Sequence, residues 1–213
     1  MIRILLLLIG YCFGLFETGY FYGKLHGIDI RSQGSGNSGA TNSLRVLGKK
    51  AGIIVFLGDA LKCHIPAAFT LLYFHQTQPE YAYLYMLYIA FGAILGHNFP
   101  FYMGFRGGKG ISCMGGLLVL YGWQFMLGGF AVFAGTVAIT KYVSVGSILL
   151  AVTMFGFGIW GGSSNYFGLA ESLLPEFYII CFLISVLAVW QHRANIKRLM
   201  SGTENKIGSK KNK

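Results

Sequence analysis

The chain has 213 residues, 54% hydrophobic and only 11% charged, and its mean hydropathy of +0.58 excludes a soluble core, a disulfide scaffold and a disordered polymer. Its charge is lopsided: 17 Lys and Arg stand against 7 Asp and Glu, a net +10. In a soluble protein that excess would suggest nucleic acid; in a membrane protein it bears on topology and anionic phosphates, and no nucleic-acid partner is expected.

Seven apolar segments follow in chain order, over residues 4–22, 53–74, 81–96, 111–122, 125–140, 145–160 and 173–190. Crossing a hydrocarbon core about 30 Å thick takes about 20 helical residues, somewhat fewer where the bilayer thins. The predicted fold is an all-α polytopic membrane bundle in one domain, 1–213, ending in a basic tail over 199–213. Segments 111–122 and 125–140 are short and nearly touch, so a hairpin and one long bent helix are both open. A cleaved leader is not expected: Arg3 and the apolar run after it fit one, but bulky Tyr11 precedes Cys12 and small residues for a cleavage site are missing. Cys12, Cys63, Cys113 and Cys181 form no CxxC pair and have no His at ligand spacing, so they read as small hydrophobes and no metal is expected.

Lys and Arg alternate between loops. Lys24, Arg31, Arg45, Lys49 and Lys50 follow the first segment, Arg106 and Lys109 the third and Lys141 the fifth. Arg193, Lys197, Arg198, Lys206, Lys210, Lys211 and Lys213 fill the tail, while the intervening loops carry none. The positive-inside rule puts those loops and the C-terminus in the cytoplasm and the N-terminus outside, with only Arg3 dissenting. The pattern needs an odd number of crossings: seven, with five as the alternative. Lys49, Lys50, Arg106 and Lys141 read as interface anchors.

Glycine and hydroxyl residues gather in three of the cytoplasmic stretches: Gly34 to Asn42, Gly96 to Gly110, and Tyr142 to Ser147. Backbone amides without a Cβ can converge on an anion, and Ser, Thr and Asn add donors. Three such loops on one face point to a phosphate site more than to simple turns. Gly34-x-Gly36-x-x-Gly39 spells a dinucleotide fingerprint but follows a membrane helix rather than a strand. Gly104 to Lys109 is one residue short of a phosphate-binding loop of the Walker type, with Gly110 where a magnesium ligand should stand. Arg45, one turn into a helix starting near Thr41, suits bidentate phosphate binding, and Lys109 between two glycines supplies a compact charge; either could equally be an anchor. Asp59 and Lys62 share a helix face as an ion pair, Glu17 could meet a cation from a neighbouring helix, and His64 packs within its own.

Four motifs carry a resemblance. Gly34-Ser35-Gly36-Asn37-x-Gly39-Ala40-Thr41-Asn42 with Arg45 is the first, and Gly96-His97-Asn98-Phe99-Pro100 with Gly107-Gly108-Lys109-Gly110 the second. Tyr142-x-Ser144-x-Gly146-Ser147 follows, and His192-Arg193-x-Asn195-Ile196 with Gly202-Thr203-Glu204 is the last. In this order they closely resemble the bacterial acylphosphate-dependent glycerol-3-phosphate acyltransferases (PlsY type), over nearly the whole chain. Ser38 departs, since the family commonly has proline there, and is expected to loosen the loop. The resemblance implies transfer of a fatty acyl group from acyl phosphate to the 1-position of glycerol 3-phosphate, giving lysophosphatidic acid and phosphate. It implies an enzyme in the bacterial inner membrane, its site facing the cytoplasm, with membrane lipid as its surroundings and no cofactor. Ser35, Arg45, Lys109, Ser147, His192 and Asn195 are then the expected catalytic residues. Gly36, Asn37, Gly39, Thr41, Asn42, Gly107, Gly108 and Gly110 are expected at substrate phosphate, with His97 and Asn98 shaping their loop. A transporter of a phosphorylated polyol is the alternative; it would show internal repeats and a midplane site, and neither is visible in the sequence.

Overall fold

The structure, a computed structural model, describes residues 1–208. Lys210, Lys211 and Lys213 of the expected tail lie outside the described residues. Ten α-helices and four single 3₁₀ turns make up the described regular structure. Helices α1 (Ile2–Gly14) and α2 (Thr18–Leu25) lead to α3 (Ala40–Leu47), and α4 (Lys49–Thr77) and α5 (Ala82–Asn98) follow. After α6 (Ile111–Tyr121) come α7 (Trp123–Thr140), α8 (Val143–Ser163), α9 (Leu174–Gln191) and α10 (Arg193–Met200). Six stretches are long and apolar enough to cross a membrane: Ile2–Leu25, Lys49–Thr77, Pro79–Met103, Trp123–Thr140, Val143–Ser163 and Glu171–Gln191. The seventh expected segment is α6, whose 11 residues reach only roughly 16 Å at 1.5 Å per residue.

Helices α6 and α7 fold back on each other. Gly122, at φ 134°, turns the chain, and a Cβ on Gly129 would strike both Leu118 of α6 and Leu150 of α8, so one long bent helix is not formed.

The first segment is not continuous either. It breaks at residues 15–17, because the opening uncovers the Phe16 carbonyl to accept from Lys62 Nζ at 2.8 Å and turns Glu17 inward. Lys62 lies 3.2 Å from Glu17 and 3.0 Å from Asp59, all three at most 7% exposed. The two expected pairings are thus one buried cluster, whose carboxylates and ammonium offset each other's desolvation. His64 donates from Nδ1 to the Gly116 carbonyl at 2.9 Å. Arg3, the dissenting charge, is neutralised by Glu176, reaching its second oxygen at 2.8 Å while Tyr88 donates to the first at 2.6 Å.

Helices α1 and α5 run parallel in close backbone contact. Cβ atoms built on Gly10 and Gly14 would stand 2.0 and 2.2 Å from the carbonyls of Ile89 and Ala93, and one on Gly92 would stand 2.1 Å from that of Leu7. With lipid as apolar as any side chain, such small-residue seams let van der Waals packing hold helices together. Gly92→Ala is expected to cost about 1–3 kcal/mol by forcing the seam apart, read as a fall in thermal unfolding temperature in detergent. Gly135→Ala, in open space on α7, is expected to leave that temperature unchanged or slightly higher.

Candidate active site

The ends of α3, α6 and α8 that carry the motifs meet α10 at one face of the bundle, around an open cleft. Ser35, Arg45, Lys109, Ser147, His192 and Asn195 all line it, although the chain separates the first from the last by most of its length. Asn37, Gly39, Thr41, Asn42 and His97 line it too, whereas Gly36, Asn98, Gly107, Gly108 and Gly110 are not part of its lining.

The glycine loop before α3 is folded by its own asparagines. Asn42, buried at the start of α3, accepts from the Ser35 amide at 2.8 Å and donates to the carbonyls of Ile30 and Gln33. Asn37 accepts from the Gly39 amide at 3.0 Å and donates to the Gly107 carbonyl at 3.2 Å, tying the first glycine loop to the second. Expected amide ligands are therefore engaged inside the loops. Gly36 donates to Gln33, Gly39 to Asn37, Gly107 to Asn98 and Gly108 to His97, each at 3.1 Å or less. In this conformation they form a scaffold, because a bonded N–H has no second hydrogen to offer a phosphate. The second loop needs its glycines for close approach: a Cβ on Gly107 would stand 2.1 Å from the His97 carbonyl, and one on Gly108 1.9 Å from the His97 ring.

Ser38, expected to loosen the loop, is tied down by a hydrogen bond. Its hydroxyl is buried and donates to Glu17 at 2.6 Å, giving the loop an anchor in the membrane cluster. His97 has an acid in reach as well: its Nδ1 lies 2.6 Å from Glu17 and 2.8 Å from Lys62, partners that no local spacing around His97 reveals. Asn98 shapes its loop through its carbonyl, while its buried side-chain amide has no hydrogen-bond partner among the described residues.

The cations stand on two sides of the cleft. Arg45 projects from α3, more than a third exposed, and meets no carboxylate among the described residues. Lys109 sits just before α6 and donates from Nζ to the Asn195 side-chain oxygen. Burial, with the nearby charges of Arg198 and Arg45, pulls its ammonium down to about 8. His192 donates from Nδ1 to the Ala188 carbonyl at 2.7 Å, which in the neutral ring leaves Nε2 as an acceptor. Burial, and then Lys109, lowers this imidazole to about 4. Ser147 donates back to Val143 at 2.9 Å.

Two charged residues of the cleft are missing from the expected set. Glu204 accepts from Asn195 at 2.8 Å, from Ser144 at 3.2 Å and from Arg198 at 2.7 Å, so it fixes the side chain that holds Lys109. It is the lone acid after Glu176 and stands beside the last motif, which was the available signal. The tail is consequently more than a basic anchor: residues up to Ile207, whose amide bonds the Lys141 carbonyl at 2.8 Å, strap across the start of α8. Phe56, Ile111, Phe133 and Val143 make an apolar wall beside these charges.

A cleft lined by cations and by aromatic and aliphatic side chains suits an anionic head carrying an acyl chain. Residues 4–202 match the family model described as glycerol-3-phosphate acyltransferase. The glycerol-3-phosphate acyltransferase of Halalkalibacterium halodurans is 41% identical, over 97% of this chain and 96% of its own. That of Bacillus subtilis is 37% identical, over 97% and 98%. The crystal structure of PlsY (YgiH), an integral membrane glycerol 3-phosphate acyltransferase, in its glycerol 3-phosphate form superposes with a TM-score of 0.81 at 32% identity, covering 97% of this chain and 96% of that one. Its lysophosphatidic acid form gives 0.79. On full-length sequence and on fold, the chain belongs to the glycerol-3-phosphate acyltransferase family.

Proposed function

We propose that this chain is a membrane enzyme that transfers a fatty acyl group from acyl phosphate to the 1-hydroxyl of glycerol 3-phosphate. The observation that carries the reading is the union of Arg45, Lys109, Ser35 and His192 in one cleft bordered by Phe56 and Phe133. The relatives' names and the two ligand forms of the similar structure support the acceptor and the lipid product. Support for acyl phosphate as the donor comes from the lining of the cleft: a phosphate leaving group suits two cations and hydroxyl donors.

The hydroxyl oxygen attacks the acyl carbon, the carbonyl carbon's bond to the phosphate oxygen breaks, and an ester forms. The hydroxyl proton passes to the departing phosphate, directly or through water, since a phosphate with a second ionisation at about 6–7 is itself a base near neutrality. Arg45, Lys109 and the Ser35 hydroxyl hold that phosphate and offset the charge that develops. His192 takes the orienting role: Nε2 accepts from a glycerol hydroxyl, while a ring lowered to about 4 is a weak base at neutral pH. Ser147 and Asn195 complete the placement, Asn195 by fixing Lys109. Purified protein in detergent, given both substrates, should form lysophosphatidic acid; uptake of glycerol 3-phosphate into vesicles without product would favour the transporter.

Seven crossings with the site on the cytoplasmic face of the inner membrane fit this chemistry, with α6 as a short fourth crossing where the bilayer thins. In support, the α6–α7 hairpin leaves from Lys109 in the cleft and returns to Lys141, whose carbonyl is bonded to the strap beside that same cleft. Cysteines placed at exposed Thr77 and Ser163, in a background without the native four, should react with an impermeant thiol reagent on intact cells. One at Ser209, outside the described residues, should not. The reverse labelling would contradict the orientation.

A further inference from the structure

Glu17 belongs to none of the motifs, yet it is 1% exposed within a membrane bundle and both its oxygens are engaged. A buried carboxylate costs several kcal/mol of desolvation and is kept only where its partners compensate it. Asp59 already pairs with Lys62 at 3.0 Å, so a second acid is not needed to neutralise the lysine. What Glu17 adds is a pair of connections. Oε2 accepts the Ser38 hydroxyl at 2.6 Å, and Oε1 stands 2.6 Å from His97 Nδ1. Ser38 sits between Asn37 and Gly39, which line the cleft, and His97 lines it from the other glycine loop. At the same place Gly19 of α2 lets the chain pack directly on the Ser38 carbonyl, where a Cβ would come within 1.9 Å.

We infer that Glu17 is a positioning residue for the reaction: one buried carboxylate fixes Ser38 and His97, and so sets the spacing of the two glycine loops between which substrate phosphate is bound. The inference rests on the proposed acyl-transfer reading of the cleft. The break at residues 15–17 that frees the Phe16 carbonyl for Lys62 also turns Glu17 inward, where it reaches Ser38 and His97. Arg45 is the group most exposed to any drift, because α3 begins at Ala40, two residues after Ser38.

The test is a double-mutant cycle with Ser38→Ala and Glu17→Gln. Ser38→Ala removes only the hydroxyl, and Glu17→Gln keeps the volume while Asp59 still balances Lys62. Each variant is expected to raise the KM of at least one phosphate-bearing substrate about tenfold, the scale of a lost hydrogen bond to a charged group, with kcat within about twofold. Because both act on one linkage, the double variant should be little worse than the more affected single. Unchanged KM values in both single variants, equal falls in kcat without a KM change, or effects that multiply in the double would each overturn the inference. An unmutated protein that makes no product from acyl phosphate and glycerol 3-phosphate would instead reject the reading of the cleft, so the two failures are distinguishable.

Discussion

Arg45→Ala and Lys109→Ala are each expected to lower kcat/KM about 30-fold to several-thousand-fold, the equivalent of about 2–5 kcal/mol for truncating one partner of a charged pair in a partly desolvated site. Lys109 combines burial with a fixed partner in Asn195, itself held by Glu204, so its truncation also frees that network. Lys50→Ala, outside the cleft, and Lys210→Ala, outside the described residues, should stay near the unmutated rate at equal expression and unfolding temperature. Equal losses in all four would mean that general positive charge, and not a site, is at work. The lysine also predicts a pH dependence. Its ammonium in the substrate-free cleft is lowered to about 8, so the charge is present below that pH and lost above it, and kcat/KM should fall on the alkaline side of about 8. Lys109→Arg, charged throughout, should retain activity there even at a lower maximum. An alkaline limb unmoved by Lys109→Arg would assign it to another group.

The histidines provide the second large effect. If the departing phosphate takes the proton, H192A should lose acceptor binding and some rate, but the acidic limb of its kcat profile should persist at saturating substrates. A dedicated base would instead cost about 100-fold or more and take that limb with it. His97 is the stronger rival to test because Glu17 lies beside its Nδ1, an arrangement able to orient an imidazole. The account predicts that H97A keeps the acidic limb and that Ser35→Ala is strongly impaired. Loss of the limb in either histidine variant, with Ser35→Ala nearly silent, would make that histidine the base. Folding carries its own signature: with His192 lowered to about 4 in the folded chain and an ordinary value of about 6.5 unfolded, the unfolded state binds the extra proton between them. Stability from this group is full above about 6.5 and is lost as pH falls towards 4.

Apolar run length placed the long membrane helices between the motifs, because a bilayer imposes length and composition on any segment that crosses it, whereas the short helices α3 and α10, which carry Arg45 and Asn195, lie outside those runs. The six residues expected to be catalytic do converge, since motifs on successive loops of one face have little other place to go. What escaped the sequence is tertiary. The break before Glu17 has no proline to announce it; it follows from Lys62, far along the chain on α4, claiming the Phe16 carbonyl. The acid beside His97, Glu17, stands 80 residues earlier on the first segment, where no local spacing around His97 points to it. Likewise the glycines read as amide donors, but whether an N–H is free depends on which carbonyl the folded loop brings to it, and those of Gly36, Gly107 and Gly108 are engaged. Glu204 was visible within its motif, yet only the folded strap shows that it organises Asn195 and Arg198.

The central claim is that a phosphate-bearing acyl donor and glycerol 3-phosphate meet in this cleft, and donor choice tests it most directly. Purified protein in detergent would be given glycerol 3-phosphate with either acyl phosphate or acyl-coenzyme A, with and without chelator, and lysophosphatidic acid and inorganic phosphate would be measured together. The account predicts one phosphate released per lysophosphatidic acid from acyl phosphate, little product from acyl-coenzyme A and no effect of chelator. Turnover of acyl-coenzyme A at an equal rate, or loss of activity in chelator, would contradict it.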